Sequence, residues 1–517
     1  MKMANLDAVF SFVITDSKDE CQTELFHLKR EMFYFADICA GPGGFAEYIL
    51  WRKGYPSHGF GLTLKGKDDF RLEKFLASSP ELFEPFYGEG GVDGNGDITS
   101  SANLRAFRQF VMTATAGHNG VSLVTADGGF SVEGKENLQE ILSRRLYICQ
   151  ACCALSILRP NGNFVCKLFD TLTAFSVGLL YLLWRSFDRV CLHKPKTSRP
   201  ANSEKYVVCI GYRDNSNVWK YLLEANARFD EVAKEECKDI VQLVPPEVLQ
   251  EDPAFLNYIR SMNETFASRQ TYYLQKYKVF AQNITLEDYR QSDLRARCLA
   301  YWKIPELPRP PPPRPSPNMK FQEICGPEDP QWVMSQGTPF QLSKFSPRLF
   351  LTCSRKPVLI IALGNTFIFQ YEDGRWQDPR AKDYIRFTLQ IPRDSLLIAD
   401  MTYEYRGEGK TKQQRKILRI LDCFCLGGLN VSTLPYMERM HRAKLFCNSI
   451  SKQHSRSDLA MVVTAETMDY AQVFQSLSRF RVEKMHGQHV IVMDNYPNNG
   501  YIIVDYLISF QILKGIL

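Results

Sequence analysis

Four short stretches of the chain hold residues whose types and spacing suit chemistry. In FYFADICAGPGGFAEYIL, Gly41, Gly43 and Gly44 together with Pro42 bare the backbone where an apolar run gives way to a helical pattern. A ligand can lie against main-chain amides at such a turn if it sits on the carboxyl edge of a parallel sheet. The loop is not GxxxxGKS/T, which excludes a Walker-type nucleotide site, and it is not GxGxxG, which weakens a dinucleotide reading. A sulfonium cofactor, which has no phosphates, suits a loop that carries no lysine. In VTADGGF, Asp127 closes a predicted strand just before two glycines, where an acid is as readily a turn former as a site. In FVCKLFD, Lys167 lies among apolar residues, a place where lysines more often snorkel from an edge. In SRPANSEKYVVC, Glu204 opens a strand after a basic turn that contains Lys194, Lys196 and Arg199.

The segments between these stretches alternate as strands and helices. Apolar runs predict strands over 34–39, 59–64, 121–126, 163–169, 189–193 and 205–212, and helices over 45–53, 137–158 and 173–187. In the second helix Leu138, Leu142, Leu146, Cys149 and Cys153 recur at helical spacing and form the predicted buried face. The order predicts an α/β fold, a mostly parallel Rossmann-like sheet with helices on both faces. Residues 1–215 form this predicted core, 216–304 a helical extension packed on it, 305–318 a linker and 319–517 an α+β domain. The linker PELPRPPPPRPSPN favours extended polyproline geometry and also resembles a ligand for proline-binding modules, with Arg309 and Arg314 flanking the prolines. Beyond it, strands are predicted over 358–362, 366–370, 385–389 and 396–405.

Composition bounds the answer. The 517 residues are 45% apolar and 23% charged, which excludes a disordered chain, and 63 basic against 57 acidic residues leave any polyanion-binding surface to be local. Fifteen cysteines without framework spacing and no visible leader argue for a reducing compartment. Cys149, Cys152 and Cys153, and likewise Cys423 and Cys425, lack a paired second half, so buried positions are expected and no metal site. The longest apolar runs are too short for a membrane helix.

Taken together, the glycine loop, strand-end acid, strand lysine and strand-start glutamate occur in the order expected of FtsJ-like, RrmJ-type 2′-O-ribose methyltransferases. DICAGPGGF, GFGLTLKG, YGEGGVDGNGDIT, ADGGFSVEGKENLQE, CKLFD and TSRPANSEKYVVC resemble, more closely, the eukaryotic cap-specific mRNA methyltransferases that modify the first transcribed nucleotide. This resemblance implies a catalytic tetrad of Lys2, Asp127, Lys167 and Glu204. It implies that Ala40, Gly41, Pro42, Gly43, Gly44, Phe45 and Ala46 hold S-adenosyl-L-methionine, with Asp97 and Ile98 beside its adenine. Glu136, Asn137, Leu138, Gln139 and Asn202 would meet the capped mRNA, although Glu136 and Asn137 also suit a helix cap. Lys167 would act as base or would position the ribose oxygen while keeping its charge. A nuclear location is implied, with RNA polymerase II or other nuclear proteins as partners of the linker or the last domain.

Departures from the family pattern set further expectations. No strand-two acid is placed to grip the cofactor ribose. The chain opens at MKMANLD, whereas the family has a preceding segment with basic cap contacts, so a shortened form with reduced cap affinity is expected. The last region faintly resembles a guanylyltransferase-like domain in RKPVLIIALGNTFIF and in LLIADMTYEYRGEGKTKQQRKILRILD. A working guanylyltransferase needs a lysine two residues before Asp-Gly, and YEDGRW has Tyr371 there, so a non-catalytic module is expected. The alternatives are a methyltransferase of another RNA and an inactive RNA- or polymerase-binding scaffold.

Overall fold

The computed structural model describes residues 1–15, 31–130, 132–214, 216–235, 238–283, 285–286, 289–306, 315–327, 329–330, 348–349, 358–364, 367–378, 389–406, 413–453, 459–465, 468–469, 480–485, 488–493 and 500–503. Most of the proline stretch, 307–314, lies outside the described residues, as do 366 and 385–388 of two predicted strands.

Seven strands form the first sheet: β1 (Phe33–Ile38), β2 (Ser57–Leu62), β3 (Phe83–Pro85), β4 (Val121–Ala126), β5 (Leu158–Leu168), β6 (Phe187–His193) and β7 (Lys205–Tyr212). Their order is β3-β2-β1-β4-β5-β7-β6. All neighbouring pairs are parallel except those made by β7, which runs antiparallel to both β5 and β6. β1, β2, β4 and β7 are buried along almost their whole length, as in a sheet covered on both faces. The order reverses between β1 and β4, and a crevice outside the carboxyl ends of strands opens at such a switch point.

The helices are α1 (Lys2–Val9), α2 (Gly44–Lys53), α3 (Ser101–Ala114), α4 (Gln139–Ile157), α5 (Ala174–Ser186) and α6 (Ser216–Val232), followed by α7 (Pro246–Gln250), α8 (Pro253–Gln282) and α9 (Gln291–Tyr301). α3 and the short β3 are absent from the sequence expectation. So is α1, whose residues Met3 to Ala8 are all buried, polar Asn5 and Asp7 included, so that no one-sided apolar stripe marks it. The predicted face of α4 also needs correction. Leu138 and Leu142 are exposed, while Glu140, Ser143, Tyr147, Cys149, Cys152 and Cys153 are buried.

The second sheet is built around a long hairpin of strands Ser395–Arg406 and Gln413–Leu426, flanked by Val358–Ala362 and Ile368–Glu372. Helix Tyr436–Ile450 packs on it and reaches the first sheet. There the Phe446 ring meets Tyr55 edge-on at 5.5 Å, and the His58 Nδ1 lies 2.7 Å from the Ser449 carbonyl oxygen. One apolar core runs through both sheets, joining Tyr55, Leu82 and Phe83 to Ile360, Leu418 and Phe446. Tyr371, Asp373 and Gly374 lie in a tight hairpin between Ile368–Glu372 and Arg375–Gln377. Both turn residues have positive φ, 51° and 76°, so Asp-Gly is what the turn itself demands. Among the described residues no helix is long and apolar enough to cross a membrane.

Candidate active site

Strand register brings the separated charges together. Ala126 pairs with Cys166 in parallel, so Asp127 emerges beside Lys167, and Lys167 pairs with Tyr206 across β7. Glu204, two residues before Tyr206, falls on the same side of the chain by the alternation of a strand. The Lys167 Nζ is 3.4 Å from Asp127 Oδ1. Tyr206, fully buried, donates its hydroxyl to the same Asp127 oxygen at 2.6 Å. The Lys2 Nζ contacts both oxygens of Glu204 at 3.0 Å and stands 5.9 Å from the centre of the Tyr206 ring. The four predicted residues thus form two ion pairs joined through one tyrosine. Nothing in the sequence marked Tyr206, which reads there as one more apolar strand residue; its place in register opposite Lys167 is the only signal.

Lys2 is held by the helix that the sequence hid. Asp7 on α1 accepts from the Thr15 amide and hydroxyl and from the Tyr48 hydroxyl of α2, and Asn5 accepts from the Lys196 amide. These bonds fix α1 against α2 and against the segment that leads to Glu204. Glu204 also accepts from the Ser198 hydroxyl at 2.6 Å. Burial alone would raise its carboxyl, but the bonds from Ser198 and Lys2, with the charges of Lys2 and Lys167, bring it below the ordinary carboxylate value.

The glycine loop is shaped by close approach. A Cβ on Gly41 would stand 1.9 Å from the Asp68 carbonyl oxygen. Gly43 has φ of 103°, and a side chain there would meet the Phe75 ring at 2.7 Å. At Gly44 a Cβ would meet nothing within 4 Å, so the first turn of α2 opens on free space. Ala40 and Phe45 are nearly buried and Ala46 fully so, and the Ala46 amide is spent within the loop. Asp37, fully buried at the end of β1, accepts from the Ala46 amide at 2.9 Å and the Thr125 hydroxyl at 2.6 Å. It thereby ties β1, the start of α2 and β4 around the loop, and burial pushes its carboxyl up to about 8 against those two bonds.

Asp97 is half-buried and accepts from the Thr99 amide and hydroxyl, while Ile98 is buried in the core below α3. Arg145 and Asn226 both donate to the Thr99 carbonyl oxygen, so α6 braces this turn from the helical extension. Glu136, Asn137 and Leu138 form an exposed single turn, with Gln139 starting α4. They do not cap α4: its N-cap is Leu138, with no side-chain bond, and the Glu136 carboxylate accepts from the Gly134 amide instead. Glu140, buried just behind them, accepts from the amides of Leu172 and Thr173 and ties the turn to the loop after β5. Asn202 lies half-buried on the segment between β6 and β7. The rim thus combines the 136–139 turn, the loop after β5 and the 194–204 segment.

Residues 1–212 match the FtsJ-like methyltransferase family. Over 495 residues the chain is 42% identical to a cap-specific mRNA (nucleoside-2′-O-)-methyltransferase 1 from Bos taurus, covering 94% of this chain and 59% of that one. The protein of that name from Homo sapiens is 40% identical over 505 residues, with 94% and 59% covered. The Xenopus laevis protein is 39% identical over 500 residues, with 94% and 58% covered. The chain therefore spans less than two thirds of the length of these relatives. Over its first 212 residues the chain is thus similar to the FtsJ-like methyltransferases.

Proposed function

We propose that the chain transfers a methyl group from S-adenosyl-L-methionine to the ribose 2′-hydroxyl of the first transcribed nucleotide of capped mRNA. The observation that carries this reading is the meeting of Lys2, Asp127, Lys167 and Glu204 beside a glycine loop whose Gly44 faces open space. S-adenosyl-L-methionine, when bound, supplies the electrophilic methyl. The backbone from Ala40 to Ala46, with Asp97 and Ile98, would hold it. A loop without lysine, its glycines packed closely on the chain, suits a cofactor that offers no phosphate.

The chain's own residues then have separate tasks. Asp127 orients Lys167 from one side while the Tyr206 hydroxyl fixes Asp127 from the other, so the amine of Lys167 is aimed rather than free. Lys167 holds the ribose oxygen in line and receives or balances the departing proton. Lys2, pinned on Glu204, adds positive charge where oxygen charge develops. Glu136, Asn137, Leu138, Gln139 and Asn202 line the rim on which the capped end would lie. The names of the relatives support mRNA as substrate over another RNA.

The region after the linker acts on this reading as a non-catalytic, guanylyltransferase-like module. Its Asp-Gly pair is accounted for by a hairpin, and Tyr371 stands where a nucleotidyl lysine would be. Contacts to RNA polymerase II or other nuclear proteins, and a nuclear location, follow only from the resemblance. The test is transfer of labelled methyl from S-adenosyl-L-methionine to otherwise identical capped and uncapped transcripts. Label on the capped transcript alone supports the reading. Equal labelling would favour another RNA substrate, and cofactor binding without transfer would favour a scaffold.

A further inference from the structure

The segment from Lys194 to Glu204 joins β6 to β7 and carries two residues already placed in the site, Asn202 and Glu204. Lys194 closes it into a loop. Only 7% of Lys194 is exposed. Its ammonium donates to the Asn202 carbonyl oxygen at 2.7 Å, the Asn202 Oδ1 at 2.8 Å and the Glu204 carbonyl oxygen at 2.6 Å. An ammonium has three donors and no acceptor, so all three are used and each partner must present oxygen. That settles which way the Asn202 amide faces. Its oxygen is taken by Lys194, so what the side chain has left to offer a ligand is its Nδ2, with two N–H groups.

We infer that Lys194 is a positioning residue that sets the specificity of the capped-RNA site by fixing Asn202 as a hydrogen-bond donor, matched to an oxygen acceptor on the capped 5′ end. The inference rests on the capped-RNA reading above. Lys194 touches no reacting atom and is distinct from the lysines of the tetrad; its effect reaches the substrate through Asn202. Only the third bond reaches the main chain at Glu204, whose side chain is held separately by Lys2 and Ser198.

The surroundings make this clamp sensitive to alkali. Burial lowers the Lys194 ammonium to about 8; Glu204 opposes this, Lys205 on β7 and Arg269 on α8 add to it, and Asp170 in the loop after β5 opposes it. Below that pH the lysine is charged and offers three donors. Above it the neutral amine keeps two donors for three acceptors, and the Asn202 amide is freed to turn.

A double-mutant cycle tests the clamp. Lys194→Met is expected to raise KM for a capped transcript about tenfold, with kcat changed less than about threefold and the dissociation constant for S-adenosyl-L-methionine unchanged. In an Asn202→Ala background the same substitution should change KM by less than about twofold, since the residue it acts through is gone. Equal effects in both backgrounds would mean that Lys194 only supports the fold, and would overturn the inference. Should Lys194→Met not fold, the pH profile decides without it. KM for capped RNA should rise above pH about 8 in the unsubstituted chain and stay flat in Asn202→Ala; a rise that persists in Asn202→Ala overturns the inference. Turnover of the unsubstituted chain on capped RNA checks the underlying reading separately.

Discussion

The two sheets use buried charge in opposite ways. In the first, Lys2, Asp127, Lys167 and Glu204 gather where the ends of β4 and β5 meet the start of β7, and each keeps some solvent exposure. In the second, Asp422 is gripped by Arg439, whose Nε and Nη2 donate to its two oxygens at 2.8 and 2.6 Å. That pair ties the strand Gln413–Leu426 to the helix Tyr436–Ile450, and its hydrogen-bonding capacity is spent on the fold. Position relative to a strand end, more than residue type, separates the two. An acid beside a crevice can turn toward a ligand, whereas an acid walled in by a helix can only hold that helix.

The largest expected effects break this contrast from each side. Lys167→Ala should lower methyl transfer about 10²- to 10⁴-fold while the dissociation constant for S-adenosyl-L-methionine moves by less than about threefold, measured by single-turnover kinetics and calorimetry. Substantial transfer by the folded variant would remove Lys167 from the reaction. Asp422→Ala should do the reverse. It leaves the Arg439 guanidinium buried without its partner and should destabilise the protein by about 3 kcal/mol in denaturant unfolding, with kcat of the folded fraction intact. A lowered kcat there would show that the second sheet feeds into the site.

A smaller effect is expected at the tyrosine that joins the two ion pairs. Tyr206→Phe keeps the ring under Lys2 and removes only the bond to Asp127. It should lower kcat roughly tenfold, the worth of one hydrogen bond to a charged group, and leave thermal stability nearly unchanged. An unaltered kcat would make the bond incidental.

A further expectation concerns pH and stability. Asp37 has its carboxyl raised from 3.8 to about 8 by burial. The folded value lies above the unfolded one, so the stability it contributes is complete below pH 3.8 and is lost as pH rises through about 8. Asp37→Asn should therefore flatten the decline in melting temperature between about pH 4 and about pH 8. An identical decline in both proteins would assign it to another group.

Much of the first sheet was legible because its strands are buried on both faces and read as apolar runs punctuated by glycine. Val121–Ala126 and Lys205–Tyr212 fall where the sequence predicts them, and Asp127, Lys167 and Glu204 stand out as charges at the ends of such runs or within them. What stayed hidden was hidden for physical reasons. The helix α1 is enclosed on every side, so it shows no apolar stripe, and Lys2 could be placed only by resemblance. Tyr206 and Asp37 look like ordinary members of their strands until register sets them against Lys167 and Thr125. Lys194 reads as one of three basic residues in a turn, and only the folded segment turns its ammonium inward. On α4, Cys149 and Cys153 lie on the buried face that the period predicts, while Leu138 and Leu142 near its start face out.

The most direct measurement is the position of the transferred methyl group. A capped transcript incubated with the protein and labelled S-adenosyl-L-methionine, then digested with nucleases that stop at a 2′-O-methylated ribose, should release all label in the cap-linked fragment that holds the first transcribed nucleotide. Label on a base, on the cap guanine, or on internal riboses would contradict the central claim that the paired lysines and carboxylates present the first ribose hydroxyl to the methyl donor.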